Sequence, residues 1–366
     1  MIDRQAAVGV LRRYVWVPAA LIGAVGLAWV ITAIYGDLVV TRVVTLALLH
    51  TVWVVGLFAY SGNSGMMSFG HVSFAALGAY ATAYLTIPAG LKPTVFPDMP
   101  GYLSWLLDIQ ASFPVALLVS GLVAALFALV LAPAIVRLAP LQGAIATLSL
   151  LIIVHTVLNN WTEVTRGQST MIGVPADLGL GGAAIGAMGA IAIAWALTSS
   201  GAGLRLRASR EDAIPARAVG VAIGRERTVA WVTSAFILGV GGGMYTHFVP
   251  TFNPDQFFLA ATFTIVAMLI IGGMKSLTGA LVGAATLSAL SEVLRRVESG
   301  HIGELGLPAG SAELMLALFL LLMLGFRPRG LTGGREVPWP GLLAGRRGGG
   351  VLGAPRGVRR ERRSET

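Results

Sequence analysis

Residues 114–136 read PVALLVSGLVAALFALVLAPAIV and contain no charged side chain. A helix of about 20 apolar residues is long enough to cross the roughly 30 Å hydrocarbon core of a bilayer. Comparable blocks recur between residues 14 and 326 of the 366-residue chain. The sequence therefore predicts an all-α polytopic membrane protein with about ten transmembrane helices. The predicted spans are 14–35, 39–60, 66–86, 114–136, 140–158, 178–198, 229–249, 257–273, 277–297 and 312–326.

The composition excludes several classes of protein. Hydrophobic residues make up 55% of the chain and charged residues 12%, against about 25% charged residues in a soluble domain. Neither an ordinary globular enzyme nor a disordered chain has this composition. The chain has no Cys, which excludes disulfides, thiol nucleophiles and Cys-bound metals.

The basic residues predict the orientation of the chain, because Lys and Arg concentrate in cytoplasmic loops. If the N-terminus is inside, 21 of the 26 Lys and Arg residues are cytoplasmic. Both termini are then predicted to be cytoplasmic, and the net charge of +9 reflects topology rather than nucleic acid binding. The five basic residues on the outer side are Arg42, Lys92, Arg166, Arg295 and Arg296.

Three stretches outside the predicted spans have distinct compositions. Residues 87–113 hold four prolines and Trp105, which is typical of an interfacial segment rather than a span. Residues 199–228 are the only long polar stretch between spans. We expect residues 1–332 to form one transmembrane domain. The Gly- and Arg-rich residues 333–366 predict a disordered cytoplasmic tail, which either contacts anionic lipid headgroups or is solvated without a role.

Motifs for catalysis and for energy coupling are absent from the sequence. Gly272–Ser276 lacks the Gly-Lys-Ser/Thr order of a phosphate-binding loop. The five His residues have no metal-binding spacing, and no nucleophile elbow occurs. Only Glu292 lies clearly inside a predicted span, and Arg295 and Arg296 follow it at helical ion-pair spacing. A carrier without its own coupling-ion or nucleotide site takes its energy from a partner.

Residues 61–80, SGNSGMMSFGHVSFAALGAY, have two interpretations. Gly and Ser at the head of a span favour a broken helix that lines a pathway, with free N–H groups directed at a substrate. The alternative is a Gly-rich packing helix in which His71 is hydrogen-bonded to the backbone of a neighbour.

The polar stretch predicts a short amphipathic helix and a turn. We expect Ser209 to cap this helix, Glu211 and Asp212 to lie in its first turn, and Gly220 to end it. Such a helix, parallel to the membrane, can dock a soluble partner. A solvated loop that joins two spans is the alternative.

Several blocks, in order and spacing, resemble the permease subunits of branched-chain amino acid ABC importers, the LivM family. Residues 65–80 are similar to the family's G-x-x-S-x-G-H-x-x-F-x-x-x-G-A-Y block, and residues 210–220 to its R-E-[DN]-x-x-A-A-x-x-x-G loop. Residues 234–245, 271–273 and 326–331 resemble further blocks, so the resemblance covers about residues 40–331.

The chain departs from the family pattern at several positions. Asn253 stands where the family usually has Ser, Lys275 where it has Gly, and Ala280 where it has Pro. Asn159 and Asn160 match the family, but Thr-Arg-Gly-Gln at residues 165–168 follows them where the family often has Thr-Gly-Gly. Because the family also includes permeases for urea, short amides and other amino acids, these substrates are alternatives to Leu, Ile and Val.

The resemblance implies a mechanism that depends on partners in a bacterial inner membrane. The chain would form half of a translocation pathway with a homologous LivH-type permease. A periplasmic binding protein would deliver the substrate. Two ABC ATPases of the LivG and LivF type would use ATP and Mg²⁺, so this chain would bind no cofactor or metal and have no catalytic residue.

The resemblance also implies two groups of functional residues. Those expected to couple the chain to the ATPases are Arg210, Glu211, Asp212, Ala213, Ala216, Arg217 and Gly220. Those expected to line the pathway are Ser68, Gly70, His71, Phe74, Gly78 and Tyr80. A stand-alone secondary carrier or channel would explain the spans but not the polar loop at 199–228. A membrane-embedded enzyme would need a catalytic constellation that the sequence lacks.

Overall fold

The computed structural model of the chain describes residues 4–299, 308, 310–327 and 329–337, with backbone alone for residues 4–14 and Leu324. These residues form helices, two of them short 3-10 turns, and the only β pairing among them is an isolated bridge between Met171 and Phe252. The α-helices are α1 Arg4–Tyr35, α2 Leu38–Ser64, α3 Val72–Thr86, α4 Lys92–Val95, α5 Trp105–Asp108, α6 Phe113–Ile135, α7 Pro140–Asn160, α8 Thr162–Thr165, α9 Leu180–Ser199, α10 Gly201–Glu211, α11 Ala213–Ala218, α12 Ile223–Phe248, α13 Leu259–Gly272, α14 Leu277–Glu298 and α15 Ser311–Phe326. The 3-10 turns are Gly101–Leu103 and Pro254–Phe257.

Each of the ten predicted spans contains a helix. Eight helical stretches in the described part of the chain are long and apolar enough to cross a membrane. The third and tenth predicted spans hold the shorter apolar helices Val72–Thr86 and Ser311–Met323. The all-α polytopic architecture is thus confirmed. The number of crossings and the side on which each terminus lies stay predictions.

The third predicted span begins later than its apolar composition indicated. Helix α2 ends at Ser64, and Gly65 follows with φ of 73° in the left-handed region, a conformation that glycine adopts without a steric penalty. The chain then runs without helix until α3 begins at Val72. The break expected within residues 61–80 is therefore present, and the prediction that a span begins at residue 66 is wrong.

Helix α12 is the centre of the bundle and packs against α2, α3 and α6. Small residues at these crossings let the backbones approach closely. A Cβ atom added to Gly242 would lie 1.9 Å from the carbonyl oxygen of Ala75 on α3. The Ser234 hydroxyl donates a 2.6 Å hydrogen bond to the Gly56 carbonyl on α2. Close packing and buried hydroxyl groups thus hold the centre together where lipid exerts no hydrophobic drive between helices.

The loop between α3 and α6 contains only helical segments of three or four residues, which agrees with the prediction that residues 87–113 are not a span, and their interfacial position stays a prediction. Lys92 is fully buried there, and its ammonium group donates hydrogen bonds to the carbonyls of Leu106 and Ile109. Burial lowers the pKa of Lys92. The loop is thus organised around one cation that satisfies carbonyls at the end of α5.

Residues 329–337, the C-terminal strap, fold back onto the turn between α13 and α14. The Leu331 amide donates to the Ile271 carbonyl at 2.7 Å. The Glu336 carboxylate accepts from the amides of Leu277 and Thr278 at 2.7 and 2.9 Å, and from the Thr278 hydroxyl at 2.6 Å. Glu336 thereby satisfies orphan donors at the N-terminus of α14, where an anion is favoured. The expected start of a disordered tail at residue 333 is wrong for residues 333–337, and residues 338–366 lie outside the described residues.

The contacts of the Glu336 carboxylate with α14 can be tested by substitution and by truncation. We expect Glu336→Ala to lower the free energy of unfolding by about 2 kcal/mol, because it leaves the donors of α14 without an acceptor. A chain that ends after Val337 keeps this carboxylate and should unfold at the wild-type temperature. Thermal unfolding of the purified protein in detergent compares the two. Equal destabilisation of both variants would contradict the assignment.

Candidate functional site

The polar stretch between α9 and α12 folds as two helices rather than one. Ser200 caps α10, its hydroxyl oxygen accepting from the Gly203 amide at 3.2 Å. The prediction that Ser209 is the cap is wrong, because α10 begins about two turns earlier and the Ser209 hydroxyl donates to the Leu206 carbonyl within it. Glu211, expected in a first turn, is the last residue of α10.

Asp212 separates the two helices and caps α11. Its carboxylate accepts from the Ile214 amide at 2.9 Å. Gly220 ends the motif as predicted, with φ of 86° and a 2.9 Å hydrogen bond from its amide to the Arg217 carbonyl. Ile214 and Val219 are each 81% exposed. A short, well-capped helix therefore presents two large apolar side chains to its surroundings.

Arg210 joins this helix pair to the end of α2. Its side chain is only 15% exposed, and Nη1 donates a 2.5 Å hydrogen bond to the Gly62 carbonyl. Gly62 lies in the last turn of α2, where carbonyls lack helical partners and a cation is favoured. A Cβ atom on Gly65 would lie 2.5 Å from the Arg210 side chain. Arg210 therefore lies directly against the break that precedes α3.

Glu211 extends the same network to a third element. Its carboxylate accepts from Arg210 Nη2 at 2.9 Å and lies 3.5 Å from the Lys275 ammonium, in the turn between α13 and α14. The hydrogen bond from Arg210, followed by the charges of Arg210 and Lys275, holds the pKa of Glu211 below its usual value. Both cations therefore favour the ionised form of the Glu211 carboxylate.

The end of α9 is also tied to this junction. Asn63 donates a 3.2 Å hydrogen bond to the Thr198 hydroxyl, and Arg207 Nη2 donates to the Thr198 carbonyl at 3.0 Å. We call the group Gly62, Asn63, Thr198, Arg210 and Glu211 the cytoplasmic junction, after the predicted side of the membrane. Helices α2, α9 and α10 meet there through polar contacts, and the ion pair of Glu211 with Lys275 adds the α13–α14 turn.

His71 is the last residue of the break and lies in an aromatic cluster. Its Nδ1 is 2.6 Å from the Ser68 hydroxyl oxygen. Its ring centroid is 4.8 Å from that of Trp231 and 5.2 Å from that of Tyr60. His71 is thus hydrogen-bonded to a side chain three residues earlier, and the expected hydrogen bond to a neighbour's backbone is not the one formed.

The other residues predicted to line a pathway are buried in the same way. Phe74 packs edge-on against Trp231, with centroids 5.1 Å apart, and Tyr80 packs against Phe252 at 5.2 Å. A Cβ atom on Gly70 would lie 2.3 Å from the Thr147 carbonyl oxygen, and one on Gly78 would lie 2.1 Å from that of Gly239. In this conformation the six residues pack within the chain, so their role in a pathway stays a prediction.

The structure brings only part of the two predicted groups together, because Tyr80 of the pathway group packs against Phe252, beyond the far end of α12. Arg210 contacts the end of α2, and the pathway group starts at the break that follows it. Ala213, Ala216 and Arg217 lie on α11, where Ala216 is buried and Arg217 is exposed. The arrangement can transmit a displacement of α10 and α11 to the α2–α3 break.

The long apolar helices define a multi-pass membrane protein. The chain matches the family described as "Branched-chain amino acid transport system / permease component" over residues 39–326, and it belongs to that family. The resemblance seen in the sequence is confirmed, as is a multi-pass location in the inner membrane.

Known relatives carry names that fit this family. The chain is 25% identical over 327 residues to the high-affinity branched-chain amino acid transport system permease protein LivM of Escherichia coli K12, which covers 79% of this chain and 69% of the relative. LivM of Salmonella typhimurium LT2 is 25% identical over 323 residues, with the same shares. A probable LivH permease of Methanocaldococcus jannaschii is 27% identical over 140 residues, 38% of this chain and 42% of the relative. No solved structure gives a significant match.

Proposed function

We propose that this chain is a permease subunit of an ATP-driven ABC importer for the branched-chain amino acids Leu, Ile and Val. It forms half of the translocation pathway by alternating access, and a homologous LivH-type permease forms the other half. Similarity to both LivM and LivH relatives supports such a pairing. A periplasmic binding protein supplies the substrate.

The observation that carries the proposal is the helix pair α10–α11 and its attachment to the bundle. Two ABC ATPases of the LivG and LivF type would dock on this side of the complex. On this chain, the exposed Ile214 and Val219 offer apolar contacts and Arg217 offers a charged one. ATP and Mg²⁺ belong to the ATPases, and this chain contributes no cofactor site.

The cytoplasmic junction supplies a route for the motion. Closure of the ATPases moves α11, and α10 moves with it because only Asp212 lies between them. Arg210 carries that displacement to the last turn of α2, and Glu211 carries it to the α13–α14 turn. Non-helical backbone is a natural hinge, and the break at residues 65–71 lies where these contacts act.

Uptake of labelled leucine into proteoliposomes tests the proposal. The chain, its sister permease, the two ATPases and the binding protein are reconstituted together. We expect uptake only when ATP and the binding protein are both present. ATP-dependent uptake of urea or a short amide in place of leucine would contradict the substrate assignment alone. Uptake by this chain without ATP would overturn the partner-driven mechanism in favour of a secondary carrier.

A further inference from the structure

A cleft of about 330 Å³ lies between the end of α6 and the start of α12. Its apolar wall comes from α6 and its polar wall from the first turns of α12 and the residues after α6. The lining residues are Leu129, Ala132, Pro133, Val136, Arg137, Gly224, Arg225 and Thr228. Two of these eight side chains are cations and none is an anion.

Both cations are available to a ligand. Arg137 and Arg225 are exposed, and within the described part of the chain no carboxylate forms an ion pair with either of them. Glu226, the acid next in sequence to Arg225, is buried and paired with Arg205 at 2.7 Å. The cleft therefore carries an uncompensated positive charge.

The position of Arg137 is fixed by its neighbour Arg227 on α12. Arg227 Nη1 donates to the carbonyls of Val136 and Leu138 at 3.1 and 3.2 Å. These two residues flank Arg137, so its backbone is held against the start of α12. The backbone at both cations is thus held in place, at Arg137 by these hydrogen bonds and at Arg225 by helix α12.

An exposed apolar surface leads from the cleft along α6. Leu118, Leu122, Leu126 and Leu129, the leucine stripe, are 59%, 61%, 63% and 50% exposed. Their spacing of three and four residues places them on one face of the helix. From Leu118 to Leu129 the helix rises about 16 Å, close to the roughly 15 Å that one leaflet contributes to the hydrocarbon core.

We infer that this cleft binds the headgroup of an anionic phospholipid, whose acyl chain lies along the leucine stripe. Arg137 and Arg225 bind the phosphate, as basic pockets between transmembrane helices bind acidic headgroups at the cytoplasmic face. The predicted topology places both residues on that face. A soluble anion would use the two cations but not the stripe, and this continuity of charge with apolar surface favours a lipid.

Binding of labelled phosphatidylglycerol to the purified, delipidated transporter in mixed micelles tests the inference. We expect phosphatidylglycerol to bind at least about tenfold tighter than phosphatidylcholine with the same acyl chains. The double variant Arg137→Gln and Arg225→Gln should bind about 30-fold more weakly, at roughly fivefold for each cation. The matched control is Arg329→Gln with Arg335→Gln, which removes the same charge from the exposed C-terminal strap and should bind as the wild type does.

A second variant blocks the cleft without changing its charge. Gly224 lines the cleft, and no atom lies within 4 Å of a Cβ atom added there, so the side chain of Gly224→Leu starts in open space and is expected to occupy the cleft. We expect it to weaken phosphatidylglycerol binding about tenfold and to leave thermal unfolding unchanged. Tight binding by Gly224→Leu would overturn the inference. So would equal binding of the two lipids, displacement of the lipid by millimolar inorganic phosphate, or loss of the ATPase subunits from the double variant with lipid binding unchanged.

Discussion

Replacing Arg210 with methionine is expected to lower ATP-driven uptake about tenfold or more, while the chain remains folded in the membrane. The Arg210 side chain forms a direct hydrogen bond between α10 and the last turn of α2. A hydrogen bond from a charged group contributes about 1.5–3 kcal/mol, which corresponds to roughly one to two powers of ten in an equilibrium constant. Methionine keeps most of the length of the side chain but cannot reach Gly62 with a donor.

The measurement separates coupling from folding. Uptake and ATP hydrolysis are recorded on the same proteoliposomes, and their ratio should fall in Arg210→Met while hydrolysis continues. Arg210→Lys, which keeps the charge but not the planar fork, should give an intermediate ratio. Arg335→Met removes an exposed arginine from the C-terminal strap and should transport as the wild type does. An unchanged ratio in Arg210→Met would show that displacement of α10 does not pass through Gly62.

The helices and the break were predictable because their signals are local. Each span is a run of apolar residues whose own backbone satisfies its hydrogen bonds, and Gly65 marks the break by its left-handed conformation. Gly220 was predictable for the same reason. In each case the deciding residue lies within the element that it shapes.

The contacts of the junction could not be predicted, because they join residues far apart in sequence. Arg210 and Gly62 are separated by 148 positions, and Glu336 caps a helix that begins 59 residues earlier. A carbonyl at the end of a helix needs a partner, but the sequence does not say which cation supplies it. Ser209 was mistaken for a cap because Ser200, nine residues earlier, is an equally good one and α10 begins there.

Gly78→Ala is expected to remove most of the folded protein from the membrane. The added methyl group would lie 2.1 Å from the Gly239 carbonyl oxygen. Both groups are attached directly to helix backbones, so neither can rotate aside. Overpacking of this kind costs about 3 kcal/mol or more. Gly189→Ala on α9 is the matched control, since no atom lies within 4 Å of its added Cβ, and alanine there gains up to about 1 kcal/mol of helix propensity. Thermal unfolding and the yield of protein in detergent measure both.

The same pair of variants decides between the two interpretations of residues 61–80. If Gly78 were needed only as a smooth wall for substrate, Gly78→Ala would fold normally and change the uptake of leucine. If Gly78 is needed for the approach of α3 to α12, Gly78→Ala does not fold and its transport cannot be measured. Gly242→Ala then does not fold either, because its methyl group would lie 1.9 Å from the Ala75 carbonyl oxygen on α3. We expect joint failure of these two variants. The pathway must then be formed by other faces of α3, or by the same residues only after α3 and α12 have moved apart.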